Sequence, residues 1–328
     1  MTNKQRAGQY VPQPAGYPAF LPTPLPPDPP VAMDDEMQGL LSRADRALGR
    51  LDGSIQTLPA PNIFVFMYVR KEAVLSSQIE GTQSSLNDLL EAEAKLFRAD
   101  RPKDVEEVIN YVAAMNHGLR RLESLPVSVR LIREIHEKLL ENVRGAEQQP
   151  GELRRGQNWI GPDGSTLTNA TFVPPPPEIV PEALSELERF LHRDDPTPVL
   201  IKIALAHAQF QTIHPFNDGN GRVGRLLIAF LLCERRILTR PVLYISHYLK
   251  RHRDRYYHLL QSVRDEGAWE DWIKFFLTAI TEVSQEATET ARRIVDLRER
   301  HRAVIVKHFK RAAANGLTVL DALYEGPD

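Results

Sequence analysis

Twelve consecutive residues, His214-Pro215-Phe216-Asn217-Asp218-Gly219-Asn220-Gly221-Arg222-Val223-Gly224-Arg225, gather an imidazole, a carboxylate, three glycines and two guanidinium groups. Such a set can hold a polyphosphate, a divalent cation and a nucleophile in one small volume. His214 is a base whose ordinary pKa lies near neutrality, at about 6.5. Asp218 offers the hard oxygen that Mg2+ prefers, and Mg2+ commonly rides on substrate phosphates beside one or two carboxylates. Gly219 and Gly221 carry no Cβ, so the backbone can bend and approach a ligand closely. Arg222 and Arg225, three apart, are near enough on a helix surface to reach one anion together. Phe216 reads as the apolar pin that seats the loop. Taken singly, a histidine before proline is usually structural and an arginine pair usually solvated. Together they favour chemistry, because a structural loop has no use for so many phosphate-compatible groups. His207, upstream, reads as a packed helical histidine and not as a second base.

The elements that must position these groups are legible nearby. Val199 to Ile213 has apolar residues at helical spacing, and Arg222 to Ile237 is a second, strongly apolar helix. The motif is therefore a helix–loop–helix, and the free N–H groups opening the second helix suit a phosphate. Far upstream, residues 64–81 predict a helix that ends Ser76-Ser77-Gln78-Ile79-Glu80-Gly81, with Gly81 as its stop. Between Gln157 and Pro177, the apolar pieces Trp159-Ile160 and Thr171-Phe172-Val173 flank a Gly/Asp/Ser/Asn turn region, as in an irregular hairpin closed by four prolines.

The twelve-residue stretch resembles the signature of Fic-domain proteins, His-Pro-Phe-x-Asp/Glu-Gly-Asn-Gly/Lys-Arg-x-x-Arg, and agrees at every specified position. The resemblance implies an all-α, Fic-type helical bundle with a small β-hairpin flap, and a nucleotidyltransferase that moves AMP from ATP to a protein hydroxyl. It implies that His214 deprotonates a Ser, Thr or Tyr hydroxyl of the target, and that Asp218 holds Mg2+ on the ATP phosphates. The stretch from Gly219 through Asn220 and Gly221 would cradle those phosphates. The helix start, Arg222-Val223-Gly224-Arg225, would orient them through its two arginines. The related Doc kinases carry Lys at the position of Gly221, so glycine favours nucleotidyl transfer. Ser76-x-x-x-Glu80-Gly81 resembles the inhibitory motif of relatives checked from their N-terminal side, where the glutamate pairs with the second arginine, here Arg225. Ile160, Thr171, Phe172 and Val173 would form the flap that receives the target segment. Tyr256 and Tyr257, on a later helix, would pack beside adenine. Alternatives within the same chemistry are use of another nucleotide or removal of AMP; outside it stands a non-catalytic nucleotide-binding module.

Composition bounds the rest. The chain has 328 residues, a net charge of −2 and a single cysteine, Cys233, inside an apolar helix. That balance lacks a basic footprint for nucleic acid, and one cysteine excludes an internal disulfide framework. The longest apolar run, Leu226 to Cys233, is far too short to span a membrane. A cytoplasmic enzyme is expected, with a homodimer possible. Residues 1–35 form a Pro-rich arm with nine prolines between Val11 and Pro30, expected to be extended along the surface or disordered. Residues 36–125 form an N-terminal helical region, 126–280 the catalytic core, and 281–328 a helix leading into an incomplete winged-helix-like segment.

Overall fold

In a computed structural model, residues 5–58, 60–96, 102–143 and 145–325 are described. The ends of the arm and of the C-terminal segment, and residues 97–101 of the N-terminal helical region, lie outside them. The described residues form an all-α fold: α1 (Asp35–Gln56), α2 (Pro61–Ile79), α3 (Leu86–Glu93), α4 (Val105–Arg121), α5 (Val129–Leu139), α6 (Val180–His192), α7 (Val199–Ile213), α8 (Asn220–Glu234), α9 (Ser246–Arg251), α10 (Arg253–Glu266), α11 (Trp269–Phe309) and α12 (Ala313–Glu325).

Helices α7 and α8 are apolar on nearly every face, and such helices belong in the interior. They cross each other there, enclosed by α2, α4, α5, α6, α10 and α11. The outer helices bury one stripe each. On α1 the buried residues Met37, Ala44, Leu48, Leu51 and Ile55 recur at three-, four- and seven-residue spacing, and this stripe lies along α11. Side chains cap several of these starts. Asp34 accepts from the Met37 amide at 2.7 Å, and Ser85 with Asp88 forms a reciprocal capping box on α3. At the contact of α4 with α8, Gly118 leaves room for the Phe230 ring; a Cβ there would stand 2.3 Å from it.

Three findings go beyond or depart from the sequence expectation. The Pro-rich arm folds into an antiparallel hairpin, β1 (Gly8–Pro12) with β2 (Pro18–Pro22), in a register that opposes Tyr10 to Phe20. Prolines 12, 18 and 22 sit at strand ends, where the missing N–H costs no ladder bond. The turn is closed by Gly16 in the left-handed region. The predicted flap, by contrast, contains a single antiparallel bridge between Ile160 and Phe172. The 41-residue helix α11 also runs without a break across residue 280, where the sequence suggests a boundary. It then turns into α12, which folds back on it, with Arg298 paired to Asp321 at 2.7 Å. No described helix is long and apolar enough to cross a membrane.

Gly118→Ala is expected to lower stability by about 1–3 kcal/mol through overpacking against Phe230. Gly49→Ala, where an added Cβ meets nothing within 4 Å, is expected to raise it by about 0.5–1 kcal/mol through helix propensity. Urea unfolding of the two variants checks the contrast.

Candidate active site

The loop between α7 and α8 is held in shape by its own Asn220 and by groups from elsewhere in the chain. His214 terminates α7 in the left-handed conformation, at φ 48°. Arg154, itself buried, donates from Nε to the His214 carbonyl at 2.9 Å and from its amide to the Pro215 carbonyl at 2.9 Å. Its Nη2 also donates to the Pro175 carbonyl, which ties the loop to the base of the flap. Asn220 closes the turn: its side-chain carbonyl accepts from the Phe216 amide at 2.9 Å, and its side-chain amide donates back at 2.8 Å. Phe216 is buried and stacks on the His136 ring of α5, with centroids 3.7 Å apart. His136 Nδ1 accepts from the Gly151 amide, so Nε2 carries the proton and donates to the Asp218 carbonyl at 3.0 Å.

Two adjoining cavities flank this loop. The larger, about 550 Å3, lies between the flap and α10, with Ile160, Phe172, Tyr257 and Arg264 on its walls. The smaller, about 100 Å3, is walled by Asp218, Gly219 and Asn220. His214, Gly221 and Glu80 line both, so these three stand at the neck between them. Burial, reinforced by the neighbouring cations of Arg264 and Arg154, pulls the His214 imidazole down to about 3. It is therefore neutral at physiological pH.

Glu80 caps the end of α2, and Gly81 beyond it takes φ 100°, a conformation that suits glycine. The Glu80 carboxylate reaches Arg225 Nη2 at 2.7 Å. Ser76, one turn earlier, accepts from the same guanidinium through its hydroxyl at 2.8 Å and its carbonyl at 2.9 Å. Arg225 is fully buried, and α2 supplies all of these bonds. Gly221 allows the close approach of Glu80: a Cβ at 221 would stand 2.0 Å from Glu80 Oε1.

The remaining predicted residues fall in different places. Arg222 and Arg225 do not converge on one anion here. Arg222 turns into the core, where Glu107 of α4 holds it at 2.9 Å, with Asp218 at 3.7 Å. The Asn220 side chain is spent on closing the loop, which leaves only its backbone amide to face a ligand. Asp218 Oδ1 accepts from the Gly219 amide at 2.6 Å. Val223 is buried, and Gly224 leaves space for Gln211 while its carbonyl accepts from His207 Nδ1 at 2.9 Å. Tyr256 is buried and donates to His207 Nε2 at 2.9 Å, so of the two tyrosines Tyr257, 40% exposed, is the one with an open ring beside the cavity. In the flap, Ile160 and Phe172 use their backbone groups on each other, and the Val173 carbonyl accepts from the Phe20 amide at 2.9 Å. Thr171 is exposed on the cavity wall.

Sequence reasoning missed His136, Arg154, Arg264 and Glu107. Arg264 lies 3.8 Å over the Phe172 ring and donates to Thr212 Oγ1 at 3.2 Å and to the Gln211 carbonyl at 3.3 Å, just before His214. Each of the four sits singly in an ordinary helix or loop, with no local pattern that marks it.

Residues 38–120 match a family model described as Fic/DOC family N-terminal, and residues 126–232 match one described as Fic/DOC family. A probable protein adenylyltransferase of Aquifex aeolicus is 29% identical over 182 residues, which cover 54% of this chain and 51% of that protein. A protein adenylyltransferase Fic of Drosophila ananassae is 33% identical over 173 residues, covering 52% and 31%. The chain thus spans about half or less of the length of these relatives. A Fic family protein structure from Desulfovibrio desulfuricans superposes with TM-score 0.69 at 19% identity, covering 88% of this chain and 86% of that one. A Fic domain containing signaling protein from Bacteroides thetaiotaomicron gives 0.61 at 19% identity, covering 80% and 97%. Both share the fold.

Three buried imidazoles carry depressed pKa values: His136 and His207 at about 4, and His214 at about 3, all chiefly through burial. An unfolded histidine titrates near 6.5, so protons bind the unfolded chain more readily. This contribution to stability is complete above pH 6.5 and declines as pH falls toward 4. The buried carboxyl of Glu72, pushed up to about 7, acts in the opposite direction, one group against three. Urea midpoints are expected to be lower at pH 4.5 than at pH 7; equal midpoints would contradict the neutral burial of these rings.

Proposed function

The chain belongs to the Fic/DOC family, and from that premise we propose that it is a protein adenylyltransferase, moving AMP from ATP to a hydroxyl of a protein target and of itself, with Glu80 as its brake. The observation that carries the reading is the sharing of one neck between two cavities by a neutral imidazole and a carboxylate bound to Arg225.

In this reading His214 takes the proton of a target hydroxyl as its oxygen attacks the α-phosphorus of ATP. A new P–O bond forms to the target, the bond to the β-phosphate bridging oxygen breaks, and pyrophosphate leaves. A base must be unprotonated to act, and the depressed His214 pKa keeps it so. The amides opening α8 and the Arg225 guanidinium supply fixed positive charge for the phosphates. Asp218, partly exposed on the smaller cavity, fits the single carboxylate by which Mg2+ is often held beside phosphate oxygens. Bound there, the ion would neutralise phosphate charge. Tyr257 would flank the base of the nucleotide, and the flap would receive the target.

The brake follows from electrostatics. With Glu80 on Arg225, a γ-phosphate competes with a carboxylate already in place. Two unit charges about 4 Å apart interact by roughly 1 kcal/mol in water and about 4 kcal/mol at an effective dielectric near 20. Glu80→Gly should therefore raise incorporation of labelled AMP by several-fold to about a thousand-fold. Equal labelling of variant and parent removes the brake from the account. In the same assay His214→Ala is expected to abolish transfer while ATP binding persists; surviving transfer would show that another group is the base.

A further inference from the structure

The flap is too small to hold itself in place. Its single Ile160–Phe172 bridge is less than a two-stranded hairpin, and even an isolated hairpin is marginal in water. The N-terminal arm supplies what is missing. In an antiparallel pair whose opposed residues exchange both bonds, the flanking residues turn their backbone groups outward. Thr171 and Val173 therefore face one side, and Trp159 and Gly161 the other. On the first side the Phe20 amide of β2 donates to the Val173 carbonyl, and the buried Phe20 ring lies 5.9 Å from that of Phe172. On the second side, the backbone groups of Trp159 and Gly161 make no backbone hydrogen bond among the described residues. Both residues line the cavity that holds His214, and the Trp159 side chain is 43% exposed.

The arm is firmly seated. Arg6, buried, makes a two-pronged ion pair with Glu270 at 2.9 Å and also donates to the carbonyls of Pro29, Pro30 and Gly267. Tyr10 donates to Asp265 at 3.0 Å, and Gln209 of α7 donates to the Thr23 carbonyl at 2.9 Å. Gly8 makes the hairpin possible: its φ is 143°, and a Cβ there would stand 2.2 Å from the Leu21 carbonyl and 2.8 Å from the Phe20 ring. Neither family model reaches residues 5–37, so the arm lies outside the matched segments.

We infer that the N-terminal hairpin is the third strand of the flap: β2 closes the edge at Val173, so an extended, hydroxyl-bearing segment of the protein target docks along the opposite edge, at Trp159 and Gly161. The occupant rests on the transfer reading above; the strand does not. Backbone hydrogen bonding along a free edge suits an extended polypeptide whatever its side chains, and the edge leads to the cavity of the base.

Amide hydrogen exchange on the full chain tests the strand without any target. Phe20, Ile160 and Phe172 should exchange at least about ten-fold more slowly than Trp159 and Gly161. Gly8→Val, which breaks the hairpin, and Arg6→Ala, which loosens its anchor, should each cut protection at Ile160 and Phe172 by about ten-fold while α7 and α8 keep theirs. Unchanged protection of Ile160 and Phe172 in both variants would overturn the third strand. For the edge, Gly161→Pro is placed in the Glu80→Gly chain, with Ile160 and Phe172 protection as the check that the flap is intact. Incorporation of labelled AMP into protein should fall at least about ten-fold with ATP binding unchanged, as loss of an edge donor predicts; undiminished incorporation overturns the docking edge. Absence of incorporation by the Glu80→Gly parent would sink the transfer reading alone, and exchange would still decide the strand.

Discussion

A fully buried guanidinium must have a counter-charge, and at Arg225 that constraint organises the site. Removing one partner of a buried pair costs about 3–5 kcal/mol, because the other charge is left without compensation. Glu80 and Ser76, both from α2, compensate Arg225 here. Under the proposed reading, Glu80 can leave only when another anion takes its place. A polyphosphate at the start of α8 is such an anion, so occupancy of the site and release of the brake become one exchange of negative charge. Gly221 is part of the same arrangement, since any side chain there would exclude the Glu80 carboxylate that now lies against it.

The loop itself is rigid for a different reason. Several of its polar groups are bonded by buried side chains and by backbone. Asn220 bonds Phe216 on both of its side-chain atoms, and His136 bridges the Gly151 amide to the Asp218 carbonyl while stacking on Phe216. Two buried arginines, 154 and 264, donate to the carbonyls of His214 itself and of Gln211, and their charge adds to the burial that depresses the His214 pKa. The imidazole is thus kept neutral, and aimed at the neck between the cavities, by residues from the flap root and α10. Arg222, on the same helix as Arg225, has Glu107 of α4 as its partner, so the two arginines of one motif are bound to different helices.

The sequence by itself determined what depends on neighbours along the chain. The apolar periodicity of 199–213 and 222–237 implies two interior helices joined by a polar loop, and the structure places α7 and α8 there. Gly81 as a helix stop and Gly219 as a point where the backbone bends follow from the same local rules, and both take positive φ; the all-α class came from the family resemblance. Tertiary structure decided everything that needs two distant segments. The hairpin in the arm could not be read from nine prolines, because their compatibility with strands depends on lying at strand ends, which only pairing sets. His136, Arg154 and Arg264 carry no local signature, for their roles exist only once α5, the flap and α10 converge on one loop. The helix of 41 residues erased a boundary because α11 buries its first half against α1 and α7 and carries the rest out to meet α12. Short-range patterning sets which residues become helix and loop; which charge faces which is a property of helix packing, and no spacing along a single chain segment encodes it.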